Sequence, residues 1–527
     1  MLKKIMSVVS ALCLLLVCVG CNNAQTTSSG EAIAENQTVS DIQAKEISLL
    51  YSYSDNFGPY TATTQLNRKL STLLYDSLIK TDKSFNAAMS LAESYVYENN
   101  TCTVTIKSAA FTDGSAVTAD DVIYSYNLAK SHTEYSYNFY EVVSVTAQNK
   151  STVVFKLSQN DEYFINLLDF PIVKNGTSGV TTPDGKEVPP IGSGRYYFDE
   201  EKTSLLLNEN YHGKKGQIKA IRLINSPDAA STSHYVEIGA TQIYYNDDNN
   251  IVRMSGKKTD VNLNRFVYIG VNSSYGSLQT KEMRYAISSA LNRKAICQSA
   301  YYNNATAASG FFNPYFEPTK AVQTIIDTPN PKITVENLEK IGYNSMNANG
   351  FYANGSGNNP SFSLLVNSEN ASRVAAARLI AEQCAAAGIE IKVVECSYAQ
   401  YLERLSSNSF QLYLGEILLP ANMDFSPLAV SGGAVAYGVG LEPAEVPEPQ
   451  GEEQAEPQEK KSSCQAILEA YHSGECGISD VASTLLTEMP QIPVCYRSGV
   501  LFYDSQITGG VQSSSSDIYL SIENYEF

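Results

Sequence analysis

The sequence lacks the residues and motifs on which most enzyme chemistry depends. Its 527 residues include no tryptophan and only four histidines, which lie far apart along the chain: His132, His212, His234 and His472. It contains no HExxH pattern, no Walker A loop, no GxGxxG motif opening a helix after a strand, and no GxSxG nucleophile elbow. We therefore expect no catalysis, no metal site and no cofactor.

Basic residues are also scarce. Lys and Arg number 37 against 55 Asp and Glu, which gives a formal net charge of −18 at neutral pH. A nucleic-acid-binding protein needs a basic surface to neutralise phosphates. We therefore expect no nucleic-acid partner.

The one long apolar run, Ile5 to Gly20, is shorter than the roughly 20 residues that a membrane-spanning helix needs. Lys3 and Lys4 precede it, which predicts an export signal over residues 1–20. The Gly20-Cys21 junction resembles the lipobox of bacterial lipoproteins, although Cys18 stands where leucine is usual. This resemblance implies acylation of Cys21, with 21–44 as a flexible, lipid-anchored linker on the extracytoplasmic face of the membrane. An ordinary cleaved signal and an uncleaved anchor are the alternatives.

The cysteines do not form a recognisable disulfide framework. Beyond Cys21 there are seven, an odd number at wide spacing: Cys102, Cys297, Cys384, Cys396, Cys464, Cys476 and Cys495. We expect isolated core residues, with a short loop closed by Cys464 and Cys476 as the alternative.

The remaining composition indicates a large folded protein with a surface suited to polar ligands. Hydrophobic residues make up 43% of a chain long enough for about three domains, and 35 tyrosines supply rings that end in hydroxyls. Residues 440–463 are rich in Glu and Pro and nearly free of large apolar side chains. They are predicted to form an exposed insertion, with a partner-binding segment as the alternative.

Strand and helix patterns alternate from Glu46 onwards. Apolar periodicity predicts helices over 62–79, 119–130, 281–296 and 370–387. Strand patterns cover 152–158, 194–200, 204–213, 218–226 and 264–274, and a hairpin turns at Glu98-Asn99-Asn100. Residues 361–396 read as strand, helix, strand, which predicts a βαβ unit with a parallel strand pair.

Several motifs in order resemble the family 5 extracellular solute-binding proteins, the oligopeptide and dipeptide receptors of ABC importers. In the most specific stretch, 73–129, the family's F-x-D-G-x-x-x-T-A-x-D-V pattern is matched by Phe111, Asp113, Gly114, Thr118, Ala119, Asp121 and Val122. "PIGSGRYYF" (190–198) is similar to G-T-G-P-Y-x-F, with Ser193 and Arg195 as departures, and "MRYAISSALNR" (283–293) is similar to VRxAIxxAxDR. The resemblance spans about Ile47 to Tyr503.

The resemblance implies an α/β, two-lobed periplasmic-binding-protein-like fold of class II, with an extra domain in lobe one and a hinge between the lobes. The implied divisions are domain I at 45–70, 173–265 and 494–527, domain II at 71–172, and domain III at 266–493. The hinge strands would cross near Arg265-Phe266 and Pro493-Val494. Ligand would bind between the lobes, and closure would bury it.

The resemblance also implies where a ligand would be contacted. The loop after the first strand offers Ser54, Asp55, Asn56 and Phe57, although Asp55 and Asn56 serve equally well as turn formers. The strand leaving the hinge offers Tyr268 and Asn272. Peptide receptors of the family hold the ligand ammonium with an aspartate of an A-D-Y-type motif. Here "LYLGEILLPANMDFSPL" (412–428) departs from that motif and offers Glu416 or Asp424.

Taken together, the resemblance implies a membrane-anchored, monomeric receptor that captures a peptide or similar polar solute and delivers it to an ABC permease and its ATPase. Within the family, oligosaccharides and nickel complexes are alternatives, which the missing tryptophan and scarce histidine disfavour. An interaction or sensor lipoprotein that kept the fold without transport is the alternative from another class.

Overall fold

A computed structural model describes residues 45–247, 254–440 and 462–527. Cys21, the predicted linker and the interior of the acidic segment 440–463 lie outside these residues. Within the described ranges, no helix is both long and apolar enough to cross a bilayer.

Strands occur throughout the described chain. They are β1 Lys45–Tyr51, β2 Ile79–Thr81, β3 Ala87–Met89, β4 Ala92–Glu98, β5 Thr101–Ile106, β6 Val142–Asn149, β7 Thr152–Leu157, β8 Tyr196–Phe198, β9 Ser204–Leu207, β10 Ile218–Asn225, β11 Ile243–Asn246, β12 Lys257–Val271, β13 Ala305–Ala307, β14 Ser345–Met346, β15 Tyr352–Ala353, β16 Ser361–Asn367, β17 Glu390–Cys396, β18 Leu412–Leu418 and β19 Gln491–Tyr503.

The helices concentrate in the second half of the chain. They are α1 Gln65–Leu74, α2 Ala119–Lys130, α3 Ala229–Glu237, α4 Lys281–Ala290, α5 Arg293–Ser299, α6 Pro331–Lys340, α7 Ala371–Ala386, α8 Tyr398–Ser406, α9 Ser426–Ala429, α10 Ser463–Ser473 and α11 Ile478–Glu488. Short 3-10 helices cover Ser136–Phe139, Phe164–Leu167, Gly276–Gln279, Glu317–Val322 and Ile522–Asn524.

Three larger sheets organise the described residues. The first has the order β1-β10-β9-β8, and the second is the antiparallel sheet β4-β5-β7-β6. The third has seven strands, in the order β11-β19-β12-β18-β16-β17 with β13 on β19. The mixed α/β architecture agrees with the predicted fold class. The pairs β2-β3 and β14-β15 form two small ribbons.

Several local predictions are confirmed. The helix predicted over 119–130 is α2, whose Asp121 accepts hydrogen bonds from the backbone N–H and the hydroxyl of Thr118 (2.9 and 2.7 Å). Asn99 and Asn100 both have positive φ, as a two-residue hairpin turn requires. Strands β16 and β17 pair in parallel around α7, which is the predicted βαβ unit.

Two helix predictions have the wrong bounds. The helix expected over 62–79 is the shorter α1, because Tyr75 is extended at its end. The single helix expected over 281–296 is divided into α4 and α5 at Leu291, whose ψ of 131° is extended. Asn292 then caps α5 by accepting a hydrogen bond from the backbone N–H of Ala295 (2.9 Å).

Strands β12 and β19 pass from one hydrophobic core to another. The core under the first sheet receives Val261 and Leu263 from β12 and Leu501 from β19, whereas Phe266 and Tyr496 pack in a different core. Each strand therefore changes core within a few residues. The pairing of β12 with β19 is irregular at this point, between Asn262 and Arg265. The lobe and domain boundaries inferred from the resemblance remain predictions.

All seven cysteines of the described residues are free, and all except the half-buried Cys476 are buried. Cys464 lies on α10, and the thiol of Cys476 donates to the carbonyl of Ile467 (3.6 Å). No cysteine in these ranges is joined to another, so their positions fit small core residues.

Candidate functional site

The loop after β1 satisfies most of its polar groups within itself. The carboxylate of Asp55 accepts hydrogen bonds from the backbone N–H and hydroxyl groups of Thr63 and Thr64, at 2.7 to 3.1 Å. Burial alone would raise the pKa of Asp55, but these bonds hold it below its ordinary value. The ring of Phe57 packs in the core against Phe198. Asp55 and Phe57 thus shape the loop.

Ser54 and Asn56 remain exposed in this loop. The Ser54 hydroxyl lies 3.2 Å from that of Ser52, and the Asn56 carbonyl accepts a hydrogen bond from the side chain of Asn67 (3.0 Å). The side chain of Asn56 is therefore better placed to meet a ligand than that of Asp55 or Phe57.

Tyr268 and Asn272 are both buried on β12 and just beyond it. The amide of Asn272 donates to the carbonyls of Asn408 and Phe410 (3.1 and 3.0 Å), so it holds neighbouring backbone in place. The ring of Tyr268 lies over Gly415, its partner on β18, and its hydroxyl is 3.3 Å from that of Tyr413. Tyr268 therefore lies within a packed face of the sheet.

Glu416 is surrounded by arginines. On β18, its carboxylate lies 3.2 Å from a guanidinium nitrogen of Arg497, 3.4 Å from one of Arg373 and 3.9 Å from one of Arg265. Arg265 and Arg497 are Cα partners on β12 and β19, at the point where both strands change core. We call Glu416, these three arginines and Asp247 the hinge cluster.

Asp247 connects the hinge cluster to α1. It follows β11, and its carboxylate lies 3.5 Å from Arg265 and accepts a hydrogen bond from the amide of Gln65 (2.5 Å). Its carbonyl accepts a hydrogen bond from Arg497 (2.8 Å). The hinge cluster therefore joins elements from the predicted domain I to elements from the predicted domain III.

Arg373 is a member of the hinge cluster with capacity for another partner. It lies in the first turn of α7, and its side chain is 17% exposed. Its Nε is buried and has no hydrogen-bond partner among the described residues. A guanidinium presents five donors in a planar fork that matches a carboxylate. Arg373 can therefore donate hydrogen bonds to an anionic group that enters beside Glu416.

Asp424 lies at a contact between two parts of the chain. The hydroxyl of Tyr140 donates to its Oδ2, and its Oδ1 accepts a hydrogen bond from the backbone N–H of Ser426 (2.8 Å). Nearby, the amide of Asn422 donates to Asp161 (2.7 Å) and that of Asn166 to the carbonyl of Ala421 (3.2 Å). These bonds join the predicted domains II and III.

Asp161 is a titratable group at this contact. Burial raises its pKa to about 7, the hydrogen bond from Asn422 lowers it, and the negative charge of Asp424 raises it. The backbone N–H of Tyr163 also donates to its carboxylate (3.0 Å). The contact therefore gains charge as the pH rises through neutrality.

We expect Asp161→Asn to reduce the loss of stability between pH 5 and pH 8. The pKa of the carboxyl returns to about 3.8 on unfolding, so the unfolded chain releases a proton that the folded chain retains below pH 7. The contribution of Asp161 to stability is therefore lost progressively as the pH rises from about 3.8 to about 7, and it changes little above that. Thermal unfolding of both proteins across this range measures the effect, and parallel curves would contradict it.

The sequence did not indicate the residues that complete the hinge cluster and the contact around Asp424. No recognisable motif surrounds Arg373, Arg497 or Asp247, and Asp161 lies in a loop. Arg373 had one usable signal, because it closely follows a strand of the predicted parallel pair, and ligands of parallel sheets gather at carboxyl ends of strands.

Comparison with known proteins agrees with this architecture. The family model of the bacterial extracellular solute-binding proteins, family 5 Middle, matches residues 86–431. The chain is 26% identical over 401 residues to the oligopeptide-binding protein AppA of Bacillus subtilis, covering 71% of this chain and 70% of AppA.

Solved structures share the fold. The structure of Bacillus subtilis AppA in complex with a nonapeptide has a TM-score of 0.56 at 20% identity, covering 91% of this chain and 98% of AppA. The structure of the ABC transporter substrate-binding protein CtaP of Listeria monocytogenes has a TM-score of 0.67 at 19% identity, covering 92% of this chain and 99% of CtaP. The structure of a nickel ABC transporter from Bacillus halodurans has a TM-score of 0.70 at 17% identity, covering 90% of this chain and 98% of that protein. The chain belongs to the bacterial extracellular solute-binding proteins of family 5.

Proposed function

We propose that this protein captures peptides, or a similar polar organic solute with a free carboxylate, and delivers them to the permease of an ABC importer. The observation that carries the proposal is the arrangement of Arg373 in the hinge cluster. Its guanidinium is largely buried, has an unused donor, and lies beside strands β12 and β19, where the chain passes between cores.

The carboxylate of Glu416 suits a different role from the one that the resemblance implied. Three guanidinium groups lie within 4 Å of it, so an approaching ammonium group would meet their repulsion before it met Glu416. We therefore assign the hinge cluster to the carboxylate end of a ligand. The similarity to AppA, an oligopeptide-binding protein, supports this choice, because a peptide carries a carboxylate at its C-terminus.

Capture by closure follows from the position of the hinge cluster. A ligand carboxylate that reaches Arg373 would add charge-assisted hydrogen bonds that only the closed arrangement completes, and so would shift the protein towards that arrangement. No covalent step is needed, and the ligand leaves when the lobes separate.

The solute carried by the purified protein tests the function. The protein is isolated from its own cells or after exposure to a mixture of peptides, then denatured, and the released solute is identified by mass spectrometry. Peptides that rebind in calorimetric titration support the proposal. A nickel complex, an oligosaccharide, or failure of any peptide to bind the emptied protein would contradict it.

We also infer that the mature chain is a monomer anchored to the membrane through Cys21, after removal of residues 1–20. The short apolar run that ends at Gly20-Cys21 supports the lipid anchor. Outside the membrane, the anchor would hold the receptor near its permease and raise its effective concentration there.

We expect Cys21→Ala to prevent lipid attachment, because the acyl chains have no thiol to join. The variant protein would be released to the medium or retain its uncleaved signal. Detergent partitioning and intact mass of both proteins measure this. A variant that still partitions into detergent as a processed, acylated chain would contradict the assignment.

A further inference from the structure

The contact around Asp424 extends to a second pair of segments, the loop after β7 and the end of α10. The backbone N–H of Asn160 donates to the carbonyl of His472 (2.8 Å), and the side-chain amide of Asn160 donates to the carbonyl of Tyr471 (3.1 Å). Nδ1 of His472 lies 3.3 Å from the carbonyl oxygen of Asn160. The last carbonyls of a helix lack partners in its regular bonding pattern, and Asn160 supplies donors to two of them.

Together with the bonds already described around Asp424, these bonds form one contact, which we call the latch. Its members in the predicted domain II are Tyr140, Asn160, Asp161 and Asn166, and its members in the predicted domain III are Ala421, Asn422, Asp424, Tyr471 and His472. Aromatic packing accompanies the hydrogen bonds, because the ring centroid of Tyr163 lies 5.2 Å from that of Phe316. The latch thus joins two segments by polar and aromatic contacts.

No sheet runs across the latch. Within the described part of the chain, the sheet β4-β5-β7-β6 and the seven-stranded sheet share no strand. Residues that are hydrogen-bonded across the latch are 255 to 312 positions apart in sequence. The two sides can therefore separate without breaking either sheet, whereas β12 and β19 run continuously from one core to the next. The latch is a contact that a movement of the lobes can make and break.

Two side chains of the latch each supply a carboxylate oxygen with its hydrogen bond. Among the described residues, the Tyr140 hydroxyl is the donor to Oδ2 of Asp424, and the Asn422 amide is the donor to Oδ2 of Asp161. Asp424 and Asp161 are only 8% and 7% exposed. A buried acceptor that loses its donor is costly, so the closed latch depends on Tyr140 and Asn422.

We propose that the latch forms only when the two lobes come together, and that Tyr140 and Asn422 are positioning residues that raise ligand affinity without touching the ligand. Ligand binding and latch formation favour the same arrangement, so each stabilises the other. The effect on affinity rests on the proposed function, whereas the opening of the latch needs no ligand.

Hydrogen exchange of the emptied protein measures the opening of the latch. The probe is the backbone N–H of Asn160, which exchanges when its bond to His472 breaks. The double variant Tyr140→Phe/Asn422→Ala lacks two donors that cross the latch, so we expect this N–H to exchange about tenfold faster. The amides within β5 and β7 should exchange at unchanged rates, because their sheet stays intact.

The matched control is Tyr137→Phe. Tyr137 lies in the 3-10 helix that Tyr140 directly follows, its ring is 41% exposed, and its hydroxyl has no hydrogen-bond partner among the described residues. This control should exchange at the rate of the unmodified protein. Tyr140→Phe alone loses a single oxygen atom and should show a smaller change in the same direction, so the test does not depend on folding of the double variant. An unchanged rate at Asn160 in Tyr140→Phe and in the double variant would overturn the latch.

Calorimetry and binding kinetics test the effect on affinity. We expect the solute identified from the purified protein to bind the double variant about tenfold more weakly, and to bind Tyr137→Phe as it binds the unmodified protein. The loss should appear in the dissociation rate constant, because the open form that meets the ligand lacks the latch in every variant. Unchanged affinity, or a loss that leaves the dissociation rate constant unchanged, would overturn the positioning role.

The two experiments separate the latch from the proposed function. If no peptide binds the emptied protein while Asn160 exchanges faster in the double variant, the proposed peptide function fails and the latch stands. If a peptide binds the unmodified protein and the double variant with equal affinity, the positioning role fails and the proposed function stands.

Discussion

Asp517→Asn is expected to lower the free energy of unfolding by about 3 kcal/mol, because it deprives a buried guanidinium of its nearest anionic partner. Arg195 and Asp517 lie 2.6 Å apart with side chains only 4% and 2% exposed. Lys80 lies 2.9 Å from the same carboxylate. Both cations would therefore lose their nearest carboxylate and keep only a more distant one, Glu523 at 3.5 Å from Arg195 and Asp76 at 3.6 Å from Lys80.

The carboxylate of Asp517 also organises its surroundings. It accepts hydrogen bonds from the Thr72 hydroxyl (3.0 Å) and the backbone N–H of Tyr519 (2.9 Å). Burial alone would raise the pKa of Asp517, but Arg195 and Lys80 hold it below its ordinary value. The stability that it contributes is thus present at neutral pH and lost in acid, as the carboxylate becomes protonated.

Urea denaturation at neutral pH measures the effect. The control is Glu209→Gln, which breaks an exposed ion pair with Lys215 (3.4 Å) and should cost less than about 1 kcal/mol. The double replacement Arg195→Met/Asp517→Leu should recover part of the loss, because it removes the undercompensated guanidinium together with the carboxylate. Equal stabilities of Asp517→Asn and the control would contradict the buried ion pair.

Arg195 illustrates what the sequence could and could not predict. It departs from the family motif at residues 190–198, so the sequence shows that this position is unusual. Its partner is 322 residues away in the chain, near the C-terminus. No periodicity or local spacing connects two residues at such a distance, and only the folded backbone brings them together.

Features that depend on neighbouring residues were predictable. The Thr118–Asp121 capping box, the Asn99-Asn100 turn and the βαβ unit each arise from interactions within a few residues or from one regular repeat. The division of the helix at Leu291 was missed because apolar periodicity continues through it. The capping hydrogen bond of Asn292 decides that boundary, and an asparagine within a helical pattern is a weaker signal.

The candidate site was less predictable than the fold. The sequence identified two acidic residues in 412–428, where the chain departs from the A-D-Y-type motif. Their role depends on which charges surround them. Glu416 meets arginines from β12, α7 and β19, whereas Asp424 meets a tyrosine hydroxyl from the loop after α2. Four segments distant in sequence determine these environments, so the sequence alone favoured an ammonium partner that the charges around Glu416 disfavour.

Arg373→Gln is expected to weaken binding of a ligand with a free carboxylate by roughly 30-fold, about 2 kcal/mol. The glutamine keeps most of the side-chain volume but lacks the positive charge and the planar fork of donors. A ligand whose carboxylate is converted to an amide should bind the unmodified protein more weakly, and should lose little further affinity in the variant.

The matched control is Arg378→Gln on the same helix. Arg378 is 66% exposed and pairs with Glu395 at 2.6 Å, outside the hinge cluster, so its loss should leave ligand affinity unchanged. Calorimetry uses the solute identified from the purified protein, as acid and as amide. Each form is titrated against the unmodified protein and against Arg373→Gln, which gives the four affinities of the cycle. The carboxylate and Arg373 should show strong coupling in this cycle, because each loses its partner when the other is removed. If Arg373→Gln weakens the affinity for the acid and for the amide equally, Arg373 acts on the fold of the cleft. The ligand carboxylate would then bind at another place.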